Sequence, residues 1–130
     1  MTGIVAISNN PDNSIIAFPD KIKGNIKLKS YTNDKNISFN VCESSIACVE
    51  FNSEGTLIET SSETGTLLRL FQTSNGALLH ELRRGSEKAD ITHLSFHDNS
   101  FYVSCTSDHG TIHLFSLKTV RDKIKAISQK

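Results

Sequence analysis

Apolar and polar positions alternate in short runs along the whole chain, and the runs recur. The segments "GIVAISNNPDNSIIAFPD" (3–20), "SIACVEFNSEGTLIETSS" (45–62) and "DITHLSFHDNSFYVSCTS" (90–107) align at offsets of 42 and 45 residues. In each, an apolar strand ends in Asn, Phe or His, a polar turn follows (NNPDNS, NSEGT or HDNS), and a second strand rich in β-branched or aromatic residues begins. Alternation at a period of two predicts half-buried strands, and the Asn, Asp, Ser and Gly clusters between them predict turns.

A third strand follows a glycine in every copy: "GNIKLKSY" from Gly24, "GTLLRLFQ" from Gly65 and "GTIHLFSL" from Gly110. Aligned by their ends, these make Lys27, Arg69 and His113 equivalent, and the middle copy holds one extra residue, which predicts a bulge or a looser turn. A fourth strand, "ISFNVC" or "ALLHELRR", completes the first two copies, whereas the third runs into the basic stretch "KTVRDKIKAISQK". That stretch reads as a solvated tail or the start of another unit ahead of a short membrane-surface helix.

Four short strands per 42 to 45 residues is the period of a WD-type propeller blade. The expected fold is all-β: a partial WD-type β-propeller of about three blades of four antiparallel strands, the last one incomplete. The blade-like repeats cover 3–42, 45–84 and 90–117, with a basic tail at 118–130, in a single domain. The chain has no Trp, so the Trp-Asp dipeptide is absent. A β-sandwich of about eleven strands accounts for the strand number but not for the recurring turns. A propeller closes with about four to eight blades, so three leave two sheet faces open and the chain reads as part of a ring.

Composition narrows the function classes. Fourteen Lys and Arg balance fourteen Asp and Glu, so no overall field draws the chain to nucleic acid and anion binding must come from a local cluster. Three cysteines with no CxxC spacing fit neither a disulfide framework nor a zinc site and point to a reducing, cytosolic setting. The N-terminus lacks the pattern of a signal peptide, and no apolar run approaches the length of about 18 residues that a membrane span needs. Membrane contact is therefore expected to be peripheral.

The local cluster is "HELRRG", which sets Arg83 and Arg84 side by side at the end of a strand. Neighbouring side chains on a strand point to opposite faces, so each arginine would serve a different groove between blades. The repeat supplies partners for both. "SSETGTLLR" offers Ser61, Ser62, Thr66 and Arg69, and the matching "TSDHGTIH" offers Thr106, Ser107, Thr111 and His113. Hydroxyls beside a planar guanidinium or an imidazole form a donor set suited to phosphate.

With those residues in place, the chain resembles the PROPPINs, β-propellers that bind polyphosphoinositides and act in autophagy. "LRRG" at Leu82 to Gly85 looks like their Phe/Leu-Arg-Arg-Gly signature, and the similarity runs from Ser44 to Leu117, with "SIIAFPDKIKGNIKL" resembling the preceding blade. The resemblance implies two basic pockets flanking the arginines, for the head groups of phosphatidylinositol 3-phosphate and phosphatidylinositol 3,5-bisphosphate. Carried over by residue, one pocket uses Ser62, Thr66, Arg69 and one signature arginine. The other uses Thr106, Ser107, Thr111, His113 and the neighbouring arginine. The resemblance further implies autophagy proteins as partners, and peripheral attachment to phagophore, endosomal or vacuolar membranes from the cytoplasm. Two positions depart from the family pattern: Cys42 stands where the family has a His, and Glu59 stands at an inner strand position where the family has a small apolar residue.

No cofactor or catalytic metal is expected. His109 and His113, four apart, would lie roughly 13 Å apart along a strand, too far to share a metal ion. "TSDHG" places Ser, Asp and His on one turn, where they cannot align for proton relay. The glycines form no phosphate loop of the GxxxxGK[ST] type. The competing readings are a WD-repeat protein-interaction scaffold without lipid binding and an inactive truncated fragment; an enzyme has no supporting site.

Overall fold

The computed structural model of the chain describes residues 4–97, 100–108 and 110–117. All of its regular structure is strand. β1 (Ala6–Asn10), β2 (Asn13–Pro19), β3 (Asn25–Ser30) and β4 (Asn36–Asn40) form one antiparallel sheet in the order of the chain. β5 (Ile46–Phe51), β6 (Leu57–Ser62), β7 (Leu67–Gln72) and β8 (Leu78–Arg83) form a second in the same order. β9 (Ile91–His97), β10 (Tyr102–Ser107) and β11 (Ile112–Ser116) form a third, three-stranded among the described residues. The basic tail at 118–130, and with it any fourth strand of this sheet, lies outside the described residues.

Pairing confirms the repeat alignment at the residue level. Phe18 pairs with Lys27, Thr60 with Arg69 and Cys105 with His113, so the three basic side chains hold one position in three successive sheets. The extra residue of the middle copy is not a bulge in β7. β6 and β7 pair without interruption from Leu57–Gln72 to Ser61–Leu68, and the residue is absorbed in the turn at 63–66. Bulges occur elsewhere. Ala47 in β5 and Thr92 in β9 are extra residues at equivalent places in the first strands, and Leu79 is extra in β8. A bulge at the start of each first strand bends it where the chain enters a new sheet.

Alternation decides which side chain meets which neighbour. Ile58 and Phe71 point from the second sheet to the first and join Ala17, Ile26 and Leu28 there. Leu68, Leu70 and Leu82 leave the opposite face and join Ile91, Leu94, Val103 and Cys105 of the third sheet. The middle sheet is thus buried on both faces, and four consecutive residues of β6, Ile58–Ser61, are buried. The outer sheets keep one open face, with Val5 and Ile7 exposed on one and Ile112 and Leu114 on the other. β1 lies against β5 and β5 against β9, so the sheets fan out from their first strands. Polar turns add links between sheets: Asn10 Nδ2 donates to Ser53 O at 3.4 Å, and its repeat counterpart Asn52 donates to Ser100 Oγ at 3.1 Å.

One backbone joint is used at both sheet-to-sheet steps. Gly24 and Gly65 sit at φ +81° and +68°, and a Cβ on either would come within 2.0 or 1.9 Å of the carbonyl oxygen of Cys42 or Ala89, in the linkers entering the second and third sheets. Gly110 has the same conformation, φ +76°, with nothing within 4 Å of that position among the described residues. Gly110→Ala should therefore cost only the left-handed backbone strain, about 1–2 kcal/mol. Gly65→Ala adds a backbone clash and should cost about 3 kcal/mol or more. Urea denaturation of the two variants checks the difference.

Candidate functional site

Two hollows open between the first and second sheets. The larger, about 550 Å³, lies at the strand ends carrying the turns of Asn52–Thr56 and Gln72–Ser74, and its charged side chains are Lys35 and Glu54, of opposite sign. The smaller, about 300 Å³, lies at the other strand ends, between the segment Val41–Ser44 and the β6–β7 turn. It holds the residues the sequence singled out: Ser62, Thr66 and Arg69 line it, together with Ser44 and Thr64. Ser62 Oγ and Thr64 Oγ1 are 2.7 Å apart.

The electrostatics of this groove are mixed. Arg69 is engaged by the protein: Nε donates to Glu81 Oε1 at 2.9 Å and Nη1 to the Val41 carbonyl at 2.7 Å. Glu43 lines the groove as a second carboxylate. Cys42, where a His was the family expectation, is buried and donates through Sγ to Ser44 O at 3.0 Å. Burial raises its pKa, the Arg69 charge only partly opposing this, so the thiol stays neutral.

Arg83 and Arg84 diverge. Arg83 pairs with Leu67 and, by alternation, shares the face of Glu81 and Arg69, toward the first sheet. It is exposed and has no hydrogen-bond or ion-pair partner among the described residues. Arg84 follows the end of β8. Its N–H donates to Thr66 O at 2.8 Å, and its half-buried guanidinium donates to the carbonyls of Gly65 and Glu87. It acts electrostatically on Cys105 of the third sheet, which marks the side it serves.

On that second side, His113 faces the middle sheet from β11 with its ring stacked on Phe115, centroids 6.5 Å apart. Ser107 is buried and its N–H donates to Thr111 O at 3.1 Å, while the Thr111 side chain is exposed. Thr106 does not join them. It pairs with Ile112, and strand alternation puts it on the face of the third sheet turned away from the middle one. Two neighbours on an unbulged stretch of β10 cannot both enter one groove, which corrects the grouping of Thr106 with Ser107. His109 lies outside the described residues.

The first sheet shows what the position becomes without this chemistry. Beside Lys27 stands Asp20, whose pKa is held low chiefly by the Ser38 hydroxyl and the Lys21 N–H, with Lys27 adding a smaller pull. That copy carries its own anion. Thr64 and Ser44 are groove residues the sequence reading did not name. Thr64 could have been found, because the 45-residue offset that links Ser62 to Ser107 also links it to His109.

Between the second and third sheets, Glu59 is fully buried and neither carboxylate oxygen has a hydrogen-bond partner among the described residues. Burial, and secondarily the cross-strand Glu50, pushes its pKa up to about 9. At neutral pH it is a protonated acid.

Sheets of four antiparallel strands, fanned from their first strands and joined by one repeated glycine contact, define a segment of a β-propeller. A model of the PROPPIN family matches residues 1–126, and the chain belongs to that family. It is 37% identical over 119 residues to autophagy-related protein 18 of Caenorhabditis elegans, covering 89% of this chain and 29% of that one. It is 31% identical to autophagy-related protein 18 of Schizosaccharomyces pombe, covering 94% and 38%. Among solved structures it is similar to Kluyveromyces lactis Hsv2, with a TM-score of 0.80 and 25% identity over 88% of this chain and 36% of that one. A complex of KlAtg21 with the coiled coil of AgAtg16 matches at a TM-score of 0.77 and 25% identity, covering 91% and 40%. The chain thus spans 29% and 38% of the length of the two curated relatives.

Proposed function

We propose that the chain forms the lipid-binding part of a phosphoinositide-binding propeller that attaches peripherally to membranes in autophagy. The observation that carries this reading is the divergence of Arg83 and Arg84 to opposite sides of the middle sheet, with Arg83 exposed and without a partner among the described residues. An exposed guanidinium on the face toward the first sheet, where Ser62, Thr64 and Thr66 line the groove, offers charge-assisted and neutral donors to the oxygens of one phosphate. Arg84, Ser107, Thr111 and His113 form the corresponding set on the other side, with Thr106 behind them on the far face. Family membership supports phosphatidylinositol 3-phosphate and phosphatidylinositol 3,5-bisphosphate as the ligands. The solved complex of a similar propeller with a coiled coil supports autophagy proteins as partners. In this role the protein is a binding effector, in keeping with its family.

Flotation with liposomes across a salt series tests the reading. Binding should require a 3-phosphorylated lipid and weaken as salt rises, because exposed cations are screened over about 10 Å at 0.1 M ionic strength. Equal, salt-indifferent binding to neutral vesicles would leave only a scaffold role.

A further inference from the structure

We propose that the turn between β2 and β3 is a membrane contact of its own, in which Ile22 enters the interfacial layer of an anionic bilayer while Lys21 and Lys23 meet lipid phosphates on either side. This rests on the head-group reading above and adds a site to it. Lys21, Ile22 and Lys23 are all exposed, Ile22 by 65%. The turn that carries them is held by its own backbone. Asn25 N donates to Ile22 O at 3.0 Å, Asp20 N to Asn25 O at 2.9 Å, and Lys21 N to Asp20 Oδ1 at 2.8 Å. Its tip thus presents one aliphatic side chain between two cations. Asp20, the one acid in the turn, is engaged by the Ser38 hydroxyl and the Lys21 N–H.

The exposure of Ile22 does not come from the open sheet face beside it. The 42-residue offset places Ile22 at the station of Thr64, and Thr64, which has a sheet in front of it, is exposed as well. Val5, Ile7, Ile112 and Leu114, by contrast, lie on the two open faces. Position says which surface the turn meets. Two residues beyond Ile22, Gly24 O accepts the Val41 and Cys42 N–H groups, and Val41–Ser44 lines the smaller groove. The turn therefore stands at the same strand ends as Ser62, Thr64 and Thr66, and a bilayer that delivers a head group to that groove also reaches Ile22. Lysines on both sides favour an anionic bilayer over an apolar protein pocket, whose closure would desolvate both charges.

The chain has no Trp, so I22W places a single reporter at the tip. Full-length I22W is mixed with phosphatidylcholine vesicles carrying phosphatidylserine, with and without phosphatidylinositol 3-phosphate. Flotation is read beside the emission maximum and quenching by lipids brominated in their acyl chains. Y31W is the control, because Tyr31 is 64% exposed at the other end of β3, with Lys29 Nζ 5.3 Å from its ring centroid. The contact predicts a blue shift and quenching in floated I22W and neither in Y31W. I22S, K21Q and K23Q should each weaken flotation about fivefold while keeping the wild-type urea midpoint. Unshifted, unquenched emission from I22W that floats would leave the turn to a protein partner and overturn the proposal, as would an equal shift in Y31W. Flotation that phosphatidylinositol 3-phosphate does not increase would end the head-group reading alone, and I22W emission on phosphatidylserine vesicles at low salt then decides the contact. No flotation on any of these vesicles at low salt overturns both.

Discussion

Replacing Arg83 or Arg84 singly by Thr should weaken binding to vesicles bearing phosphatidylinositol 3-phosphate by about tenfold or more, and replacing both should lose far more than either change suggests. Each charge-assisted phosphate contact is worth roughly 1.5–3 kcal/mol, which sets the size of the single effects. The double effect follows from the divergence of the two side chains. Two grooves facing one membrane act through effective concentration, so a protein with one intact groove still engages the surface and a protein with none does not. The structure adds an asymmetry. The Arg84 guanidinium holds the Gly65 and Glu87 carbonyls together, whereas Arg83 holds nothing. Arg84→Thr should therefore also lower the denaturation midpoint, and Arg83→Thr should not. Flotation paired with urea denaturation of the same preparations reads both. If one single variant abolishes binding and the other leaves it untouched, there is one groove, not two.

Glu59 governs the second large effect, which concerns stability. Its folded-state pKa is about 9 against an ordinary 4.5, so between those values the native state holds a proton that the unfolded chain has released. Stability is then highest below about pH 4.5 and falls as pH rises toward 9, by up to about 1.4 kcal/mol per pH unit for a single group. Leu occupies a similar volume without a charge to desolvate. Glu59→Leu should match or exceed wild type at low pH and gain on it steadily as pH rises, by a difference on the order of several kcal/mol at pH 9. Denaturation midpoints at intervals from pH 4 to 9 check this, and a constant difference between the two proteins would show that Glu59 is ionised in the folded state.

The fold was legible in the chain because a propeller blade writes its period openly. Every 42 to 45 residues, apolar alternation, polar turn and glycine return, and the pairing of Phe18, Thr60 and Cys105 with Lys27, Arg69 and His113 follows from counting. The two-sided placement of Arg83 and Arg84 was legible for the same reason, since alternation needs only neighbours. Contacts between copies were not. Nothing in the repeat indicates that Arg69 spends its donors on Glu81 and Val41, because the Val41 carbonyl belongs to another sheet, 28 residues earlier. Nor does it show that Arg84 closes a turn 19 residues behind it. Glu59 was visible as out of place, but its lack of a partner among the described residues depends on the packing between two sheets, where the thiols of Cys48 and Cys105 are its neighbours. Thr106 was misgrouped because similarity along the sequence was followed where facing direction should have ruled.

The glycine joint carries a consequence for how such rings diversify. Both steps from sheet to sheet share one main-chain contact, a hydrogen in place of a side chain resting against a carbonyl. The contact itself involves no side chain, so residues along the grooves can change without touching it. Lys27 beside Asp20, Arg69 held by Glu81, and His113 stacked on Phe115 occupy one station in three units. A chain with 25% identity to Hsv2 overlays it at a TM-score of 0.80, so the arrangement of sheets tolerates much change in side chains. It also makes each groove an independent experiment in binding, free to gain, lose or neutralise a charge while the ring stays closed.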